Sequence, residues 1–260
     1  MNPIGFYRNN SGTLSVQNIN INDLAKKYGT PLFIYDSDLM KERYNAFVEA
    51  TSHLNGNIHY AVKANDALSI ISYFAKLGCG ADIVSIGEFK KCVAAGVSPK
   101  KIIFSGVGKE NSEIEFALKN NVLQFNIESE EELDDIHKIA SKLKIYANIC
   151  LRVNPNIAPN THKKISTGDK STKFGINFEN VKLIYQKLHD LDYINPVGLA
   201  VHIGSQIFDF DFFSQAYSNL KSLADDLKKQ KFNVPSLDLG GGIGINYNNN
   251  IPPDFSKYKK

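Results

Sequence analysis

Short runs of apolar, β-branched and aromatic residues recur along this chain at 58–65, 81–85, 101–106, 123–128, 145–154, 196–205 and 236–242. Several are apolar at consecutive positions without clean alternation, as expected of parallel strands covered on both faces. Helical patterns fill most of the gaps. After Asp211, the residues Phe213, Ala216, Tyr217, Leu220, Leu223, Ala224 and Leu227 keep one face apolar over several turns. Ser129 with Glu132 has the form of a capping box and predicts a helix striped by Leu133, Ile136, Ile139, Ala140 and Leu143. Strands alternating with helices through right-handed crossovers give either an open doubly wound sheet or a (β/α)8 barrel. Residues 32–35 are a further candidate strand. One connection is long: residues 155–178 are rich in Asn, Lys, Ser and Thr, poor in apolar residues, and read as a loop.

Composition narrows the class without naming a function. A 260-residue chain with 43% hydrophobic and 22% charged residues is globular in composition, not disordered. Thirty basic against 27 acidic residues leave +3, too balanced to argue for nucleic-acid binding. No apolar run approaches the ~18 residues of a membrane span, and the first residues lack the layout of a signal peptide. Cys79, Cys92 and Cys150 have no metal-ligand spacing and read as small buried packing residues in a reducing, cytoplasmic compartment.

Two glycine clusters invite a test as nucleotide sites, and both fail. Gly106-Val107-Gly108-Lys109 has Ile103 where a phosphate loop needs glycine, and Gly240-Gly241-Gly242-Ile243-Gly244-Ile245 lacks the last glycine of a dinucleotide fingerprint. Gly240–Gly242 nevertheless end a strand, where bare backbone N–H groups can approach a phosphate; a plain tight turn is the simpler alternative. In a parallel barrel the strands' C-terminal ends carry the active site. Lys63 lies near the end of the first run, and burying its charge is costly unless its pKa falls or it finds a partner. Either outcome suits a Schiff-base lysine, while a rim lysine reaching to water is the competing account. Arg152 and His202 sit at equivalent ends of later strands, although a single strand histidine is more often a satisfied core residue.

Tyr60-Ala61-Val62-Lys63-Ala64-Asn65, Gly80-Ala81-Asp82-Ile83-Val84-Ser85-Ile86-Gly87-Glu88 and Ile103-Phe104-Ser105-Gly106-Val107-Gly108-Lys109 together resemble the fold-type III pyridoxal-phosphate decarboxylases. The likeness continues through Leu151-Arg152-Val153-Asn154-Pro155, His202-Ile203-Gly204-Ser205-Gln206 and Asp238-Leu239-Gly240-Gly241-Gly242, in order over about residues 20–247. Within that group, His162-Lys163-Lys164-Ile165-Ser166-Thr167-Gly168 followed by Lys173-Phe174-Gly175-Ile176 is similar to the diaminopimelate decarboxylases. The resemblance implies an alanine-racemase-like (β/α)8 barrel, pyridoxal 5'-phosphate as cofactor, no metal, and conversion of meso-2,6-diaminopimelate to L-lysine and carbon dioxide. By the same resemblance Lys63 would hold the cofactor as a Schiff base and His202 would stack on its ring. Gly240, Gly241 and Gly242 would hold its phosphate with Ser205 nearby, and Asp82, Glu88 and Arg152 would form the polar surround.

The family pattern also continues beyond this sequence, into an eighth strand ending in a Glu-Pro-Gly-Arg segment and then a β-rich domain carrying a Cys-Glu motif. The expectation is therefore a barrel truncated after its seventh clear strand. Residues 1–30 would belong with a second β domain, residues 31–260 would form the incomplete barrel, and the C-terminal β domain would be absent. Residues 1–260 alone are expected not to decarboxylate. A homodimer or a complementary C-terminal chain would complete the site; no nucleic acid and no membrane is expected as a partner. The alternatives are a single-domain pyridoxal-phosphate barrel without decarboxylase activity and an inert remnant.

Overall fold

A computed structural model describes residues 5–157, 174–247 and 253–259. Two compact units emerge, residues 1–55 with 245–260 and residues 56–244. In the first, β1 (Tyr7–Arg8), β2 (Leu14–Val16) and β3 (Ile19–Asn20) form an antiparallel meander. Gln17 and Asn18 take left-handed backbone angles between β2 and β3, the pairing that a two-residue hairpin turn needs. Asn20 caps α1 (Ile21–Tyr28), and the Asp36 carboxylate caps α2 (Ser37–Thr51) by accepting from the Asp38 and Leu39 amides. Phe255 and Tyr258 set their rings edge-on against Phe47 of α2, at 5.4 and 5.5 Å. Residues 32–35 form no strand: Phe33 is 83% exposed and Tyr35 48%, so this apolar run has no sheet to join.

The second unit is a run of βα repeats. In chain order they are β4 (His59–Ala61), α3 (Leu68–Lys76), β5 (Gly80–Ile83), α4 (Ile86–Ala94), β6 (Ile102–Phe104), α5 (Asn111–Lys119), β7 (Gln124–Ile127) and α6 (Glu130–Leu143). There follow β8 (Ala147–Asn154), β9 (Ile176–Asn177), α7 (Val181–Leu188), β10 (Ile194–Ala200), α8 (Phe210–Lys229) and β11 (Ser236–Asp238). Strands β4, β5, β6, β7, β8, β10 and β11 pair in parallel in that order, while β9 adds a short pairing on β8. Sequential neighbours with no reversal of strand order are the barrel's topology, which settles the choice against a doubly wound sheet.

The sheet is curled. Asn126 on β7 and Asp238 on β11 share a 2.9 Å hydrogen bond although β8 and β10 lie between their strands. On a flat sheet three strand spacings would hold them ~14 Å apart. The convex side packs on the helices through Ile83, Ile102, Phe104, Phe125, Ile127, Ile149, Leu151 and Leu199, all buried in one cluster. The Phe104 and Phe125 rings stack there at 6.0 Å. The expected helical stripes meet this layer: Leu133, Ile136 and Ala140 of α6, and Phe213, Ala216, Leu220, Leu223, Ala224 and Leu227 of α8, are buried. Cys79, Cys92 and Cys150 are buried free thiols. No helix among the described residues is long and apolar enough to cross a membrane.

Candidate active site

The turns that leave the strands' C-terminal ends share one device. Ser85 caps α4 by accepting from the Glu88 amide, and Ser129 caps α6 by accepting from the Glu132 amide. In each case the glutamate carboxylate reaches back one residue beyond the cap, accepting from the Val84 amide at 2.7 Å and the Glu128 amide at 2.9 Å. The predicted box at Ser129 is therefore present in modified form. Both turns satisfy helix-end donors while aiming charge at the rim of the sheet.

Glu132 does more than cap. The Lys109 side chain is fully enclosed, and its ammonium donates to Glu132 at 2.5 Å and to the Gly106 and Asn126 carbonyls at 2.8 Å each. Three acceptors match the three N–H bonds of an ammonium, which is what makes a buried lysine tolerable. Burial pushes the Glu132 carboxyl above its ordinary range and Lys109 pulls it back. Beside it, Glu128 accepts from Arg152 at 2.6 Å and from the Gly175 amide at 3.1 Å. The Arg152 guanidinium lies 5.2 Å from the centre of the Phe174 ring. Arg152 is thus gripped on one side by a carboxylate and on another by an aromatic face.

The remaining polar side chains follow the strand alternation onto the concave side. Ser105 donates to Asp82 at 2.5 Å, Asn126 donates to Ser105 at 3.1 Å and to Asp238 at 2.9 Å, and the Gly240 amide donates to Asp238 at 2.9 Å. Burial raises the Asp82 pKa to about 6; the Ser105 hydrogen bond opposes this, the Asp238 charge adds to it, and the Lys63 and Arg152 charges oppose it. His202 is driven the other way. Burial, then Arg152 and Lys63, lower its pKa to about 3, so the ring is neutral at physiological pH. Its Nδ1 accepts from the Gly241 amide at 3.3 Å, which leaves the proton on Nε2. Deeper in the sheet, burial lowers the His59 pKa, and its Nδ1 finds no hydrogen-bond partner among the described residues.

The residues singled out from the sequence fall as follows. Lys63, Asp82, Arg152 and His202 gather at one end of the sheet, close enough that the Lys63 and Arg152 charges act on both Asp82 and His202. Lys63 lies beyond the end of its strand and fits the rim-lysine account rather than the buried one. Strand β4 stops at Ala61, so Lys63 sits in a single 3-10 turn (Val62–Ala64), and it is exposed rather than desolvated. Its charge is therefore not buried, and the amine is reached from the open side. Ser205 is an exposed residue of the largely buried loop after β10, which ends at Ala200 rather than at residue 205. Glu88 spends its carboxylate on the Val84 amide. The motif at 162–168 and Lys173 lie outside the described residues. Ser105, Asn126, Glu128, Asp238, Lys109 and Glu132 were not singled out as site residues. A signal for some of them was present: Gln124, Asn126 and Glu128 are polar at every second position of an otherwise apolar strand.

The glycine triplet has the form of a cradle. Gly240 (φ +67°) and Gly242 (φ +107°) lie in the left-handed half of backbone space. A Cβ on either would run into a carbonyl oxygen, of Val201 or of Gly204, whereas one on Gly241 would meet nothing within 4 Å. Open space at the middle residue, a primary amine in the open and a neutral imidazole beside them suit an aldehyde cofactor bearing a phosphate.

Comparison with known proteins agrees with that chemistry. A diaminopimelate decarboxylase of Vibrio cholerae is 40% identical over 249 residues, which cover 96% of this chain and 60% of the relative. The crystal structure of diaminopimelate decarboxylase from Helicobacter pylori complexed with L-lysine superposes with a TM-score of 0.89 at 40% identity, over 92% of this chain and 61% of that one. The corresponding enzyme of M. jannaschii, also in complex with L-lysine, gives 0.88 at 34% identity over 98% and 60%. The chain thus spans about three-fifths of the length of these relatives. The sequence model described as "Pyridoxal-dependent decarboxylase, pyridoxal binding domain" matches residues 37–260, and the chain belongs to that family.

Proposed function

We propose that this chain provides the cofactor-binding part of a cytoplasmic diaminopimelate decarboxylase, which removes one carboxylate from meso-2,6-diaminopimelate and yields L-lysine and carbon dioxide. The observation that carries the reading is the convergence of Lys63, Asp82, Arg152, His202 and the Gly240–Gly242 cradle at one end of a barrel-type sheet. The likeness to diaminopimelate decarboxylases at about 40% identity supports that choice of substrate.

When bound, pyridoxal phosphate supplies an electron sink for the carbanion left by loss of carbon dioxide. The chain's own residues account for binding and orientation. Lys63 offers an exposed primary amine for Schiff-base attachment. The glycine triplet, its Gly240 and Gly241 amides held by Asp238 and His202, would receive the phosphate at its open middle residue. His202 presents a neutral imidazole, held in place through Nδ1, against which a flat ring can lie. Asp82, with a pKa near 6, changes its protonation close to neutral pH and sits in the field of Lys63, where it can hold a proton at a carboxyl oxygen. Arg152, fixed by Glu128, adds positive charge that a carboxylate-bearing substrate would meet. We further read the working enzyme as a homodimer, or as completed by a complementary chain.

The test uses the protein together with any sequence that adjoins residues 1–260. Purified with pyridoxal phosphate, it should release carbon dioxide from meso-diaminopimelate, and Lys63→Ala should abolish both the release and the visible absorption of amine-linked cofactor. Bound cofactor without release from diaminopimelate, ornithine or arginine would instead favour a binding barrel that does not decarboxylate.

A further inference from the structure

The hydrogen bonds of Asn126 place it at the centre of a chord that crosses the concave side of the sheet. On one side the chord runs through Ser105 to Asp82; on the other it runs to Asp238, and from Asp238 to the Gly240 amide. The orientation of the Asn126 amide is not free. Gln124 donates to its Oδ1 at 2.9 Å, so its Nδ2 must face Ser105 and Asp238. Asn126 is 4% exposed, and its own carbonyl accepts from the enclosed Lys109, so both main chain and side chain are anchored. Asp238 spends one carboxylate oxygen on Asn126 and the other on Gly240. Asp238, 112 positions beyond Asn126 in the chain, is therefore the joint between a fixed amide on β7 and the first residue of the glycine cradle.

We infer that Asn126 and Asp238 are positioning residues that set the conformation of the Gly240–Gly242 cradle, and so govern affinity for the phosphate half of the cofactor rather than for its ring. Neither side chain needs to touch the phosphate. The inference rests on the reading of the glycine triplet as the phosphate cradle. Without the chord, Gly240 loses the acceptor that fixes its amide, and the neighbouring amides lose their aim. His202 accepts from the Gly241 amide and not from that of Gly240, so it does not replace Asp238.

The experiment compares pyridoxal phosphate with pyridoxal, which shares the ring and aldehyde but lacks the phosphate. Both are titrated by absorbance and intrinsic fluorescence into the protein with any sequence adjoining residues 1–260. The unsubstituted protein should strongly prefer the phosphorylated form. Asn126→Leu should lower that preference at least tenfold while leaving pyridoxal affinity within about twofold. Should Asn126→Leu fail to fold, Asn126→Ser, which leaves room for a water, takes its place. Asp238→Asn should act likewise, and the exchange Asn126→Asp with Asp238→Asn should restore much of the preference, because a donor again meets an acceptor and Gly240 keeps its partner. An unchanged preference in a folded Asn126 variant would overturn the inference while leaving the cradle intact. An unsubstituted protein that binds both forms equally would overturn the cradle reading, and the inference with it.

Discussion

The two faces of the strands β4 to β11 are built from the same backbone and obey opposite rules. On the convex side, Ile83, Phe104, Phe125, Ile127, Ile149 and Leu151 are wholly buried against helices. Their contribution is area removed from water, about 25 cal/mol per Å², and no partner of defined geometry is needed. On the concave side, Asp82, Asn126, Glu128 and Arg152 are held by hydrogen bonds of 2.5 to 3.1 Å, each directional and each costly to lose singly. A parallel sheet can thus keep a forgiving side for stability and an exacting side for chemistry, one residue apart along each strand. The lesson is one of tolerance: volume changes on the convex side should cost stability alone, while polar changes on the concave side should alter the site out of proportion to stability.

The sharpest attempt to break that contrast lies where a charge is wholly enclosed. Lys109→Met should destabilise the protein by about 3–5 kcal/mol, because it leaves the Glu132 carboxylate and two carbonyls without their donor. Equilibrium denaturation reads the loss, and Lys109→Met with Glu132→Gln should recover part of it. Recovery would show that the unpaired charge is the cause rather than the lost side-chain volume.

A smaller effect separates the two titrating groups of the site by the sign of their pH dependence. Asp82 rises from 3.8 to about 6 on folding, so between those values the folded protein holds a proton the unfolded chain has released. Its contribution to stability falls as pH rises through that window, and Asp82→Asn should stabilise the cofactor-free protein above pH 6 but not below pH 4. His202 falls from 6.5 to about 3, so the unfolded chain takes up a proton that the folded protein refuses. Stability drops as pH falls from 6.5 towards 3, and His202→Gln should flatten that acid limb. Denaturation midpoints at pH 3.5, 5 and 7.5 test both; parallel curves for the two variants would contradict the opposed signs.

The mildest test sits on the convex side. Ile127→Val should cost about 1 kcal/mol with no change in cofactor affinity. A shift in affinity would mean that packing on the helix side is transmitted to the site, and the separation of the faces would fail.

Much of this architecture was legible in the chain. Seven apolar runs and the α6 and α8 stripes found their elements because hydrophobic period is a local signal. The run at 32–35 misled for the same reason: apolar, aromatic residues fit a strand, yet a strand also needs a partner, which is not a local property. For Lys63 the sequence left two accounts open, a desolvated amine or a rim lysine reaching water, and its exposure selects the second, because burial depends on what lies across the sheet. Asn126 and Asp238 were the hardest to see. A bond between residues 112 positions apart leaves no periodicity and no spacing rule. Polar residues within an apolar strand can be read as solvent-facing until the curl of the sheet shows what they meet.

Lys63 and Lys109 also differ in what reaches them. Lys63 stands in the open, while no part of the Lys109 side chain is accessible. An acylating or alkylating reagent offered to the folded protein should therefore find the first and pass over the second. Lys109 is a built-in witness: a covalent mark on its amine, read by mass spectrometry, records a molecule whose interior stood open when the reagent arrived.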